Sequence, residues 1–266
     1  STYKIIVSRN EQAVSNLVRG LKNGAVTYLI APFNPNIVKA KIDVYKRLFF
    51  KDQRIAQLLS NIFPAQVIED FNTTGKVSPK RIDNGVVLFT DFVDFSAYAK
   101  DLDPIHLLKR LERHFTKFDE ISQRYSIEKV KTIGDSYMAL SGVNEQKAHP
   151  AIRACMAALE MQHYIEKASA INEGLGAKGW QVRIGIHMGP LVAGIIGKTK
   201  FSYDVWGDTV NIAARAEQVS ENGVITVTET IARAISDYFE LTPLGDVDIL
   251  KRGGKVPMYR LDCLQE

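Results

Sequence analysis

At 266 residues the chain is long enough for more than one domain, and 45% hydrophobic with 24% charged residues is ordinary for a globular protein. A net charge of +4 is too small to argue for nucleic acid, and basic clusters such as Lys251-Arg252 are short. Two cysteines, Cys155 and Cys263, lack metal-ligand spacing and suggest no disulfide framework. With no apolar run near the ~18 residues that span a bilayer, and no signal-peptide pattern, a cytoplasmic setting is expected.

Tyr3-Lys4-Ile5-Ile6-Val7-Ser8 reads as a buried strand, and Glu11 to Lys22 as an amphipathic helix stopped by Asn23-Gly24. Ala25 to Ile30 is a second strand, closed by Ala31-Pro32, and a second helix starts near Asn34-Pro35 with proline in its first turn. The stretches Gly24-Ala25-Val26-Thr27-Tyr28-Leu29 and Pro32-Phe33 resemble the last β-α-β-α portion of a response-regulator receiver domain. The half of that domain with the phospho-accepting aspartate is absent from this chain, and Ala31 stands where the family places lysine, so phosphorylation is not implied. A fragment this small cannot bury a complete core and must pack on something else.

Ile37, Val44, Leu48, Ile55, Leu58, Leu59 and Ile62 recur at steps that continue a helix to about Ile62. Two readings fit it equally: a two-stranded coiled coil, whose stripe Lys51 interrupts, or a helix packed on its own domain. Phe63-Pro64 ends it, and Val67 to Lys80 reads as a turn-rich connector. The expected organisation is a regulatory unit over 1–48, a signalling helix and connector over 49–82, and a catalytic domain over 83–266.

In that last domain Val86-Val87-Leu88-Phe89-Thr90 is the continuous apolar run of a buried strand, and it ends in Asp91. Asp103-Pro104 opens a long helix with Ile105, Leu108, Leu111, Phe115, Phe118 and Ile121 on its apolar face. His106 and His114 flank that face and read as surface or interface residues. Glu128 to Ile133, Gly134-Asp135 and Ser136 to Leu140 form a hairpin with a carboxylate at its tip. A helix near Ala148 to Ala168 follows, with Ile152, Cys155, Leu159 and His163 in its repeat. Then come a strand over Gln181 to His187 and a glycine-rich ribbon over Leu191 to Gly197. The order is β-α-β-β-α-β, the ferredoxin-like split βαβ arrangement of an α+β fold, with helices on one face of an antiparallel sheet and the other face left for ligands. Asp91 and Asp135, at the ends of neighbouring strands, form a ready site for hard divalent cations.

Three blocks carry a family resemblance: Phe89-Thr90-Asp91-Phe92-Val93-Asp94-Phe95-Ser96, Glu128-Lys129-Val130-Lys131-Thr132-Ile133-Gly134-Asp135, and Phe201 to Arg215. In this order they resemble the signature blocks of the class III nucleotidyl cyclases, over roughly residues 83 to 262. The resemblance implies that Asp91 and Asp135 hold two Mg²⁺ or Mn²⁺ ions per site, which activate the ribose 3′-hydroxyl of ATP and neutralise the phosphates. It makes Arg183 and Lys251 phosphate-binding, Phe92 substrate-binding, and Asn211 with Arg215 the pair that positions the ribose and stabilises charge on the α-phosphate. Asn211 and Arg215, four residues apart, face one side of a helix.

Purine choice falls to Lys131 and Asp204. Adenine offers an acceptor at N1 and a donor at its amino group, matching a lysine and an aspartate, whereas guanine reverses the pattern. The resemblance agrees, since guanylyl members typically carry Glu and Cys there. It also implies a head-to-tail homodimer whose sites are shared between chains, controlled by an upstream sensory or receiver module. The rival readings are a guanylate cyclase and a catalytically weak or silent nucleotide-binding module. One departure from the family is Asp94, which stands where it usually has glycine beside the first metal aspartate.

Overall fold

The computed structural model describes residues 3–8, 14–101, 103–143, 148–174, 179–197, 199–249 and 254–265. The chain divides into two compact units, Ser1–Gly75 and Lys76–Glu266.

The first unit comprises β1 (Lys4–Ser8), α1 (Val14–Lys22), β2 (Ala25–Ile30), α2 (Pro35–Ser60) and α3 (Ala65–Thr74). Strands β1 and β2 pair in parallel, as a helical crossover requires. Asn34 starts α2 by accepting the N–H of Asn36 at 2.9 Å, with Pro35 in the first turn where no donor is lost. One face of α2 is tied to the strand pair, Tyr45 donating to the Val26 carbonyl at 3.0 Å and Lys41 Nζ to that of Tyr28 at 3.0 Å. Ile37, Val44, Leu48, Ile55 and Leu58 of α2 are exposed.

Where a turn-rich connector was expected, α3 is helical. Its Asn72-Thr73-Thr74 run closes a last helical turn, because Thr73 Oγ1 bonds the Glu69 carbonyl at 2.9 Å and Thr74 Oγ1 that of Asp70 at 2.8 Å. Gly75, at φ 69°, then ends the helix in the left-handed region.

The second unit is built on an eight-stranded sheet. Its elements are β3 (Lys80–Phe92), α4 (Phe95–Asp101), α5 (Pro104–Arg124), β4 (Glu128–Ile133), β5 (Ser136–Ser141) and α6 (Pro150–Gly174). They continue with β6 (Val182–Ile196), β7 (Ser202–Trp206), α7 (Asp208–Val219), β8 (Ile225–Thr228), α8 (Glu229–Ile235), β9 (Phe239–Ile249) and β10 (Gly254–Leu264). The strand order is β4-β5-β3-β6-β8-β10-β9, with β7 folded back onto β6 as an antiparallel ribbon. The sheet is mixed rather than antiparallel, since β6 and β8 run parallel. This second unit has the α+β architecture expected.

Strand alternation sorts the two faces. Val86, Leu88 and Phe92 of β3 and Ile184 and Ile186 of β6 join Leu111, Phe118 and Ile121 of α5, with Ala154, Cys155 and Met161 of α6, in one buried core. The intervening residues Asp91, Arg183 and Gly185 face the other side. That side is not left open: α7 packs on it so closely that a Cβ on Gly185 would stand 2.0 Å from the backbone nitrogen of Glu217. Only a glycine admits the helix there.

Two helix-face expectations change in the structure. Ile105 and Leu108, in the first turns of α5, are exposed, and burial on this helix begins at Leu111. His114 is buried, with its ring 5.5 Å from Phe92 and 5.2 Å from Trp180, and burial pushes its pKa down to about 4, leaving a neutral core imidazole. His106 is exposed as expected. Among the described residues no helix is long and apolar enough to cross a membrane.

Candidate active site

The alternation that buries Leu88 and Phe92 turns Asp91 outward at the end of β3, opposite Arg183 on β6. Arg183 Nη2 donates to Asp91 Oδ2 at 2.6 Å. Strand β5 lies on the other side of β3, and the Ser136 hydroxyl donates to the Thr90 carbonyl at 2.9 Å, pinning the hairpin tip beside Asp91. Gly134, at φ 64°, makes the turn that presents Asp135.

The two carboxylates repel. Partial burial and then the charge of Asp91 raise the Asp135 pKa to about 6, partly offset by backbone N–H groups of Asp135 and Phe92 that favour the charged form. A pair of hard oxygen donors, with Arg183 the cation beside Asp91, fits Mg²⁺ or Mn²⁺. Among the described residues no group of three metal-ligating side chains occurs. Further ligands would come from backbone, water and phosphate oxygens, the pattern usual for Mg²⁺.

A second group forms on the hairpin and the ribbon. Lys131 Nζ donates to Asp204 Oδ2 at 2.6 Å, and the other oxygen of Asp204 accepts the Val205 N–H at 2.9 Å, which fixes the carboxylate plane. A shift of register between Lys129 and Lys131 in the β4–β5 pairing re-aims the lysine. Both side chains keep partial exposure, so the pair can open to a ligand.

Helix α7 carries a third group. Asn211 is exposed, and Arg215 Nε reaches the Asp248 carbonyl at 3.4 Å. The opposite side of the helix is buried through Thr209, Ala213, Ala216 and Glu217.

Phe92 does not present its ring to this site. The ring stacks on Phe118 at 6.2 Å and meets Trp180 edge-on at 5.0 Å in the core, because residue 92 has the parity of Leu88. Its contribution to the site is the backbone N–H that bonds Asp135. Lys251 lies outside the described residues. Asp94 is exposed and adopts φ 56°, the left-handed conformation that glycine takes without strain.

Glu217 escaped the sequence reading. It lies 3.2 Å from Arg183 Nη2, so one guanidinium nitrogen bridges it and Asp91. Burial and the nearby charge of Asp91 raise its pKa to about 7, against the opposing pull of Arg183. The available signal was an acidic residue at the fourth position of an otherwise small and neutral stripe, 209, 213, 216 and 217.

Residues 77–262 match the family described as the adenylate and guanylate cyclase catalytic domain. An adenylate cyclase of Mycobacterium tuberculosis is 33% identical over 201 residues, covering 75% of this chain and 44% of that protein. A receptor-type guanylate cyclase of Caenorhabditis elegans is 31% identical over 214 residues, covering 80% of this chain and 18% of that one. The chain thus spans less than half the length of these relatives. The non-canonical dimeric guanylyl cyclase domain of the RhoGC fusion protein from the aquatic fungus Blastocladiella emersonii superposes with a TM-score of 0.63 at 27% identity, covering 70% of this chain and 99% of that domain. With the family match extending over most of the second unit, the chain belongs to the adenylate and guanylate cyclase catalytic domain family.

Proposed function

We propose that the protein is an adenylate cyclase that converts ATP to 3′,5′-cyclic AMP and pyrophosphate. The observation that carries the choice of purine is the Lys131–Asp204 pair, a donor and an acceptor held side by side at 2.6 Å. Lys131 would donate to adenine N1 and Asp204 would accept from the amino group. A guanine edge would set donor against donor and acceptor against acceptor. Relatives of both nucleotide classes match at similar identity, so the choice rests on these two side chains.

Asp91 and Asp135 would hold two divalent ions, which supply activation of the 3′-hydroxyl and charge neutralisation at the phosphates when bound. Arg183 binds phosphate oxygens with its planar fork. Asn211 orients the ribose, and Arg215 donates to the charge that develops on the α-phosphate, where a preorganised donor is worth ~3–4 kcal/mol. Lys251 would contact the triphosphate.

The working enzyme in this reading is a head-to-tail homodimer. Asp91, Asp135 and Arg183 of one chain face Lys131, Asp204, Asn211 and Arg215 of the partner subunit. The exposed apolar side chains Ile196, Phe201 and Trp206 around the ribbon support it. Residues 1–48 act as a receiver-like regulatory piece, a reading that rests on the β-α-β-α order and the parallel strand pair, and the rest of α2 and then α3 separate it in sequence from the catalytic domain. We place the protein in the cytoplasm, consistent with free Cys155 and Cys263.

Asp94 favours a second reading, a slow cyclase, because a carboxylate stands where the turn next to Asp91 would cradle phosphate. An assay of purified protein with ATP and GTP, each with Mg²⁺ and Mn²⁺, separates the cases. Cyclic AMP formation with a strong preference over GTP is expected. Equal use of both nucleotides, or product from GTP alone, overturns the adenylate reading, and no product from either leaves the binding module.

A further inference from the structure

We propose that Glu217 is a positioning residue of this site: its buried carboxylate is the second anchor of the Arg183 guanidinium and sets the orientation in which that group meets phosphate. The inference rests on the cyclase reading above. Arg183 is reached from two elements, with Asp91 on β3 at 2.6 Å and Glu217 on α7 at 3.2 Å from the same Nη2. With Asp91 alone this nitrogen has one contact about which to swing, whereas two carboxylates on different elements hold it from two directions.

The placement of Glu217 is rigid. A Cβ on Gly185 would come within 2.0 Å of the Glu217 nitrogen and 2.6 Å of its Cα, so the main chain at Glu217 sits directly on β6. Gly185 and Arg183 are two apart on that strand and share a face, which brings the carboxylate over the guanidinium. Glu217 is only 6% exposed, and its Oε1 has an ion-pair contact to Arg183 but no hydrogen bond. A buried carboxylate is costly to keep for packing alone. The neighbouring stripe residues are Thr209, Ala213 and Ala216, which fill the same interface without a charge. A function through Arg183 accounts for the difference.

The test is a double-mutant cycle with Arg183→Ala, read by calorimetric binding of magnesium pyrophosphate and by the kinetics of ATP cyclisation. Glu217→Ala should weaken pyrophosphate binding by about tenfold, the order expected for losing one close ion-pair contact, and raise KM by a similar factor with a smaller loss of kcat. Glu217→Gln keeps the shape and should recover part of the affinity. In the Arg183→Ala background, Glu217→Ala should change pyrophosphate affinity little. An equal loss in both backgrounds, or no loss in either, overturns the proposal. Should Glu217→Ala fail to fold by circular dichroism, the cycle is run with Glu217→Gln, where additivity with Arg183→Ala is again the refuting result. Wild-type protein that neither binds magnesium pyrophosphate nor cyclises ATP would refute the cyclase reading and this inference together. Wild type that does both, with an additive cycle, would refute only the role of Glu217.

Discussion

Asp135 should cost the protein stability where no divalent ion is present. Its pKa is raised from the ordinary 3.8 to about 6 by burial and by Asp91. Below pH ~4 the group is protonated in both folded and unfolded chains and carries no penalty. As the pH rises towards 6 the unfolded chain ionises freely while the folded one resists, so stability falls through this window and stays lower above it. Two pKa units correspond to about 3 kcal/mol, and solvent screening of a half-exposed carboxylate reduces this to about 1 kcal/mol. Asp135→Asn removes the penalty. In EDTA at pH 8 it should therefore be more stable than wild type, with a melting temperature about 2–4 °C higher. The advantage should vanish at pH 4, and added Mg²⁺ should stabilise wild type but not the variant. Thermal denaturation at the two pH values, with and without the ion, is sufficient. A variant that is less stable than wild type at pH 8, or whose gain persists at pH 4, would show that Asp135 is a structural turn residue and not half of a charge-strained metal pair.

Three further outcomes are expected. Replacing Lys131 with Glu and Asp204 with Cys should sharply lower turnover of ATP and raise relative use of GTP; an unchanged preference for ATP, measured with both nucleotides, removes these residues from purine reading. Asp94→Gly should raise kcat by clearing a carboxylate from the turn beside Asp91. Its stability should shift by less than about 1 kcal/mol, since relief of the left-handed strain is offset by the freedom glycine gains when unfolded. Asp91→Ala and Asn211→Ala should each be nearly inactive, yet mixing them with free subunit exchange should restore about a quarter of wild-type activity, because a mixed dimer gathers both lesions in one of its two sites. No recovery despite exchange shown with two affinity tags would place each site within a single chain.

What could be read from the sequence follows from how local its physics is. The apolar run ending in Asp91 and the Gly-Asp hairpin tip depend on strand period and turn chemistry, and both stand where the pattern put them. The polar run Asn72-Thr73-Thr74 misled, because threonine hydroxyls that bond back to a helical carbonyl look the same in sequence as turn residues. Phe92 misled through its neighbours: inside a signature block it reads as part of the site, but parity sends its ring to the core. His114 and Glu217 were illegible for a shared reason. A polar residue on a helix is taken to face water until the sheet or helix covering it is known.

That covering also explains why α7 bears so much of the site. Asn211 and Arg215 lie on its outer side, and Glu217, two residues past Arg215, is turned about 200° away onto the sheet. If sites are shared across a dimer, the outer side serves the site completed by the partner, and the inner side serves the aspartates proposed to bind metal in its own chain. A rotation of α7 that improved one set would displace the other, so both are satisfied only in a narrow range of helix settings. Gly185 is the part of β6 that fixes this setting, since any side chain there would lift α7 off the strand. Gly185→Ala should accordingly impair both halves at once, whereas Asn211→Ala leaves the Arg183–Glu217 contact untouched.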